Sequence, residues 1–119
     1  MQATNTNKET LQTLFGGDTF HTPEVEYELR SEDFAAEIPQ TGERFESREA
    51  LRDMQKEFGQ PPAVALKRIT GEGDVWVVEA VQTYEKDGDY HVCVLVEFDN
   101  GKIRRETRYY GPPLQTNRP

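Results

Sequence analysis

The segment from Asp74 to Tyr110 leaves little freedom in how this chain can fold. It reads as three consecutive strands, VWVVEAVQTY, DYHVCVLVEF and GKIRRETRYY, separated by Asp87-Gly88 and Asn100-Gly101. Both dipeptides supply the positive φ angles of a tight hairpin, so the strands are expected to pair in order as an antiparallel meander. The inward-facing side chains of that meander are where any chemistry has to sit.

What precedes it is helical or short. Residues 1–7, MQATNTN, are polar and read as a disordered tail, and Lys8 to Phe15 can make two helical turns with Leu11, Leu14 and Phe15 on one face before Gly16-Gly17. A second helix is better marked. Thr22 can cap it, Pro23 suits its first position, and Glu24 and Glu26 complement the positive end of the helix dipole. Val25 and Leu29 recur at helical spacing, and a short strand, FAAEIP, is expected from Phe34. Pro39-Gln-Thr-Gly42 then turns the chain back through Glu43 to Phe45. Ser47 caps a third helix with Leu51, Met54 and Phe58 at i, i+3, i+7, which Gly59 and Pro61-Pro62 end. Val64 and Leu66 alternate with polar neighbours up to a Gly71-Glu-Gly73 turn. The layout is α+β, with helices packed on one face of a curved antiparallel sheet. One domain over residues 8–113 is expected, with a C-terminal tail at 114–119.

Composition narrows the partners. The 119 residues suffice for a single core. Residues 1–60 hold 13 acids against 6 bases and residues 61–119 hold 9 against 8, so the helical half carries most of the net charge of −8. With no basic stripe to meet phosphate, nucleic acid is not an expected partner. The acidity reads as a solvated helix surface. No apolar run approaches the ~20 residues of a membrane span, and residues 1–20 lack the pattern of a signal peptide. The single cysteine, Cys93, excludes an intrachain disulfide and agrees with a reducing compartment, so the cytoplasm is the expected location.

The element order and the strings PQTGER, REALR, WVVE and EFDNGKIRRETRYY resemble the SnoaL-like branch of the nuclear transport factor 2-like superfamily. The resemblance covers roughly residues 22 to 113. It implies a cone-shaped α+β roll, its bent sheet wrapped around a pocket that the helices close. It does not select a function, because that superfamily contains isomerases, epoxide hydrolases, polyketide cyclases, dehydratases and non-enzymatic binding domains. First helices in the family run about four turns. The shorter Lys8–Phe15 segment implies a more open pocket, or one completed by a partner subunit.

By the same resemblance the inward set of the first meander strand is Trp76, Val78, Ala80, Gln82 and Tyr84. That of the next is Tyr90, Val92, Val94, Val96 and Phe98, apolar enough to confirm the phase unaided. On the last strand it is Arg104, Glu106, Arg108 and Tyr110, with Arg104 close enough to the strand start to reach solvent. Ketosteroid isomerases of the family carry a catalytic aspartate at the position of Ile38 and a protonated aspartate at that of Val94. Limonene epoxide hydrolase-like members carry an arginine and two aspartates where this chain has Ala80, Gln82 and Arg108. The aspartate of the cyclases falls at or beside Arg108. The chain copies none of these enzymes.

Four polar residues remain as catalytic candidates: Arg108, Glu106, Gln82 and Tyr84. An inward arginine must find a carboxylate, from the protein or from a ligand. Arg108 is therefore read either as an anchor for an anionic or carbonyl-bearing molecule, or as half of a structural pair with Glu106 or Glu37. In an enzyme Arg108 would polarise an oxygen while Glu106 or Tyr84 moved a proton, with Gln82 orienting a water. The ligand-contacting wall is expected from Trp76, Tyr90, Val94, Val96, Phe98, Ile38 and Tyr110. Trp76 and the tyrosines serve equally well as plain core. The alternative to an enzyme is a non-catalytic binding or assembly module of the same fold. The enzyme would act on a small hydrophobic molecule, and the module would use the same pocket or the outer sheet face for a ligand or partner. Both are expected to form a homodimer through the outer sheet face, where Val77, Val81, Cys93, Leu95 and Tyr109 mix with Glu79 and Glu97.

No cofactor or metal is expected. Gly71-x-Gly73 lacks the third glycine and the βα context of a dinucleotide loop. His91 and Cys93 share the outward face without a third ligand at useful spacing, and His21 reads as exposed.

Overall fold

The computed structural model describes residues 2–16, 23–58, 63–84 and 88–112, and side chains within them except those of 2–5 and 58. Three helices, α1 (Gln2–Phe15), α2 (Pro23–Leu29) and α3 (Arg48–Phe58), accompany six strands: β1 (Arg30–Ile38), β2 (Glu43–Phe45), β3 (Ala63–Glu72), β4 (Val75–Tyr84), β5 (Gly88–Asp99) and β6 (Lys102–Gly111). The strands form one open sheet in the order β2-β1-β6-β5-β4-β3. The meander is as expected: β3 to β6 pair antiparallel in sequence order. Asn100 (φ 53°) and Gly101 (φ 79°) take the left-handed conformation that the β5–β6 hairpin needs.

The sheet is not wholly antiparallel, however. β1 runs parallel to β6, pairing Ala36 with Glu106, so the sheet is mixed. The chain enters the meander at the far edge, β3, and three reversals bring β6 back beside β1 in the same direction.

Alternation along the strands separates two faces. Trp76, Val78 and Ala80 on β4 and Val92, Val94, Val96 and Phe98 on β5 are buried on the inner face. On β6 the alternation breaks. Glu97 pairs with Arg105 while Phe98 pairs with Ile103, so Arg104 is an extra residue in a bulge. The bulge turns Arg104 outward, where it meets Asp33 at 3.1 Å, and puts Ile103 in the core in its place. The expected inward position of Arg104 is thereby corrected.

Three helical expectations change. The first helix starts at Gln2, not Lys8, and is four turns long rather than two. The polar segment expected as a disordered tail is helical because Asn7 is buried and its side-chain amide donates to Gly73 O (2.8 Å) and Asp74 Oδ1 (3.3 Å). That contact docks α1 on the β3–β4 turn, with Leu11, Leu14 and Phe15 in the core. The short-lid expectation falls with it. On α2, Val25 is exposed and the half-buried positions include Glu26 and Leu29. On α3 the inward stripe is Arg48, Leu51 and Gln55; Met54 is exposed. Ser47 caps α3 as expected, its hydroxyl accepting from Ala50 N at 3.1 Å. The first strand also begins earlier, at Arg30 directly after α2, rather than at Phe34. Thr22, His21, Gly59, Pro61-Pro62, Asp87 and the 114–119 tail lie outside the described residues.

The β3–β4 hairpin depends on one glycine. Gly71 has φ 149°, and a Cβ there would lie 2.7 Å from Trp76 Cα and also strike the Val75 carbonyl. Gly71→Ala is expected to lower unfolding stability by about 2 kcal/mol or more in urea titration. A loss below about 0.5 kcal/mol, the range of inert surface changes, would contradict this packing.

Candidate functional site

The polar centre of the inner face is built on β6. Glu106, Arg108 and Tyr110 stand opposite Val96, Val94 and Val92 of β5. Glu106 is 0 % exposed, and both its oxygens are taken. Arg108 Nε donates to Oε1 at 2.8 Å, and Arg108 Nη2 donates to the same oxygen. Arg30 Nε donates to Oε2 at 3.0 Å. Arg30 is itself 2 % exposed, with its guanidinium 5.2 Å from the centre of the Phe34 ring. It also reaches Glu26 Oε1 at 3.3 Å, an oxygen that accepts from Gln55 Nε2 at 2.8 Å.

An alternating chain of charges, Glu26–Arg30–Glu106–Arg108, thus runs from α2 through the core to the inner face. Arg108, with its side chain 14 % exposed, is its accessible inner end. Its Nη1 makes a long contact with the Tyr110 hydroxyl, 3.4 Å. These three hydrogen bonds leave two of the five guanidinium N–H groups without a partner among the described residues.

Electrostatics follow from this geometry. Burial pushes the Glu106 carboxyl upward, but Arg108 and Arg30 together outweigh it and hold its pKa at about 2. Burial likewise opposes the charge on Arg108, and Glu106 reverses that, keeping the guanidinium firmly protonated. Of the two structural partners expected for Arg108, Glu106 is the one found; Glu37 instead faces Arg44 at 3.4 Å.

The four expected catalytic residues separate into two groups. Gln82 and Tyr84 lie together, the Tyr84 hydroxyl donating to Gln82 Oε1 at 2.8 Å, with Tyr90 packed edge-on against Tyr84 at 5.7 Å. Gln82 pairs with Tyr90, whereas the row of Arg108 crosses β5 at Val94 and β4 at Val78. Four residues of strand, about 13 Å, separate the two rows. Among the expected wall residues, Trp76, Val94, Val96 and Phe98 are packed in the core with Leu11, Leu14 and Phe15. Ile38, Tyr90 and Tyr110 are half-buried. Gln40 steadies Tyr110: its side-chain amide donates to Tyr110 O at 2.7 Å and accepts from Tyr110 N at 2.6 Å, as a neighbouring strand would.

Arg30 is the residue sequence reasoning missed. At the end of an exposed helix, it reads as a charge placed for the helix dipole. The available signal was indirect: an inward Glu106 beside an inward Arg108 still needs its second oxygen satisfied.

His91 and Cys93 are exposed on the outer face, Cys93 between Glu79 and Tyr109. A shallow groove of about 380 Å³ opens there, lined by Lys67, Glu79, His91, Cys93 and Tyr109 together with Ala80, Val92, Tyr110 and Gly111. Among the described residues no cluster of His, Cys, Asp or Glu is placed to hold a metal, and no helix is long and apolar enough to cross a membrane.

This fold is that of a known class. Residues 18–106 match the model of the SnoaL-like domain, and the chain belongs to that family. Solved structures agree on the fold. A nuclear transport factor 2-like protein of unknown function from Burkholderia xenovorans is 28% identical, with a TM-score of 0.80 over 94% of this chain and 88% of its own. A protein with a ketosteroid isomerase-like fold from Catenulispora acidiphila, solved in complex with trimethylamine, is 16% identical, with a TM-score of 0.72 over 87% and 85%. A de novo designed protein with a curved β-sheet, 19% identical, reaches a TM-score of 0.75 over 91% and 87%. A shared scaffold does not by itself select a function. No curated protein matches the sequence.

The buried carboxylate makes a pH prediction. In the folded protein its pKa lies below the ordinary 4.5, so its contribution is fully present above that pH and is lost as pH falls towards 2. Glu106→Gln should remove on the order of 3 kcal/mol of acid sensitivity between these limits, read as a flatter profile of stability against pH. An acid profile identical to wild type would contradict the pairing.

Proposed function

We propose that this SnoaL-like protein uses the inner face of its sheet, at Arg108 and Tyr110, as a pocket for a small molecule with an apolar body and an anionic or carbonyl oxygen. The observation that carries this reading is that two N–H groups of Arg108 have no partner among the described residues, beside the half-buried Tyr110 on the inner face. A guanidinium with free donors in a low-dielectric wall favours a carboxylate, or the oxygen of a carbonyl, over an amine. The lining of the site favours binding and polarisation of that oxygen by Arg108. Glu106 does not suit a general base, because both oxygens are held by arginines and its pKa is near 2. Tyr84 and Gln82 serve as a polar lip further along the strands, not as part of the Arg108 centre.

A panel of aromatic and alicyclic acids and ketones tests this by thermal shift. Wild type should gain melting temperature with members of the panel, and Arg108→Met should lose the response. Equal responses in the two proteins would remove Arg108 from the site.

A second copy of the chain is the proposed occupant of the outer face. Val75 (54 % exposed) and Tyr109 (45 %) lie there beside half-buried Val77, Val81 and Leu95, with Arg68, Glu79, Glu97 and Arg105 supplying both signs of charge to a self-complementary surface. Sedimentation at tens of micromolar, about the range of a weak interface, should report a dimer. A monomer would contradict this assignment without touching the Arg108 site.

A further inference from the structure

We propose that Arg30 is a positioning residue for the ligand site: by holding Glu106 Oε2 it prevents Glu106 from neutralising Arg108, and so leaves Arg108 available to a ligand's carboxylate. The inference rests on the anion-anchor reading of Arg108 and assigns the residue that makes that reading physically possible.

An isolated arginine and carboxylate in a dry environment pair fork to fork, two N–H groups on two oxygens, and largely cancel each other. That is not the arrangement here. Arg108 Nε and Nη2 both converge on Oε1, while Oε2 belongs to Arg30. One buried negative charge is therefore divided between two guanidinium groups. Their situations are unequal, because Arg30 has a second carboxylate, Glu26, at 3.3 Å. Among the described residues, Arg108 has only the neutral Tyr110 hydroxyl besides Glu106. The four charges of the chain sum to zero, but its positive end, Arg108, which shares the Glu106 carboxylate with Arg30, stands at the inner face.

The placement of Arg30 serves this division. It is the first residue of β1, joined without a loop to α2, and it lies beside Ile103 of β6. It reaches Glu106 from the helix side, while Arg108 reaches it from within the same strand. Without Arg30, the Glu106 carboxylate could rotate to take Arg108 on both oxygens. The resulting neutral pair would still be satisfied in the core, but it would no longer attract an anion. Arg30→Met removes the charge and keeps most of the volume. Glu106→Gln makes the opposite change, leaving two guanidinium groups facing a neutral amide.

The experiment titrates benzoate and cyclohexanecarboxylate into wild type, Arg30→Met, Glu106→Gln and Arg108→Met, followed by backbone amide NMR shifts. Expected are weakening of roughly tenfold in Arg30→Met, tightening of roughly tenfold in Glu106→Gln, and loss of binding in Arg108→Met, the scale of one charge-assisted hydrogen bond gained or lost. A purely structural role for Arg30 would weaken binding in both of the first two variants, so the opposite signs are diagnostic. If Arg30→Met binds as wild type does while Arg108→Met does not, the positioning role is overturned and the anchor stands. If wild type binds neither acid, the anchor reading fails and this inference with it. Should Arg30→Met not fold, Glu106→Gln decides: unchanged or weaker binding overturns the proposal.

Discussion

The fully buried carboxylate of Glu106, held between Arg30 and Arg108, is the constraint around which the rest of the molecule is arranged. Three charged groups inside a small domain are tolerable only if each is paired and hydrogen-bonded, because an isolated buried charge costs several kcal/mol. That requirement ties elements far apart in sequence. Arg30 stands at the α2–β1 junction, Glu106 and Arg108 on the last strand, and Glu26 and Gln55 on α2 and α3. Parallel pairing of β1 with β6 brings Ala36 beside Glu106 and Arg30 beside Ile103. Both arginines depend on the one Glu106 carboxylate, so its loss leaves two guanidinium groups facing each other.

The apolar part of the core divides the inner face by depth. Four turns of α1, held at Asn7 and buried through Leu11, Leu14 and Phe15, cover Trp76, Val94, Val96 and Phe98. The β6 bulge at Arg104 adds Ile103 to the same cluster. One end of the cone is therefore packed solid, and the half-buried positions Ile38, Gln82, Tyr84, Tyr90, Arg108 and Tyr110 lie on the rest of the inner face. A ligand reading of the fold has to be a reading of those positions. Family membership and structural likeness to a designed protein place the scaffold; they leave its chemistry to these side chains.

Much of this was legible in the sequence, for identifiable reasons. The Asn100-Gly101 turn, the alternation of Val92, Val94, Val96 and Phe98, and the Ser47 cap are local signals, and each appears where local chemistry puts it. What escaped was non-local. The helix through residues 2–7 depends on Asn7 finding a carbonyl 66 residues away, which no propensity scale registers. The bulge that reverses Arg104 and Ile103 follows from the register between β5 and β6. Strict period-two reading carries through such a slip uncorrected. In the candidate site, Arg108 and Glu106 were visible as inward charges, but the partner that decides their behaviour was not. Arg30 lies 76 residues from Glu106, at the edge of an exposed helix, and only the tertiary fold brings it inward.

The central claim is that Arg108, although paired with Glu106, presents donors to a ligand at the inner face, whereas Arg30, 2 % exposed, is closed to one. Guanidinium ¹⁵N resonances observed by NMR, assigned through the single substitutions, report on both residues in one sample. On addition of benzoate, the account predicts that the Arg108 signals shift in a saturable way and that the buried Arg30 signals respond little. Saturable binding that leaves the Arg108 resonances in place, or that moves only exposed arginines such as Arg44 and Arg104, would contradict it.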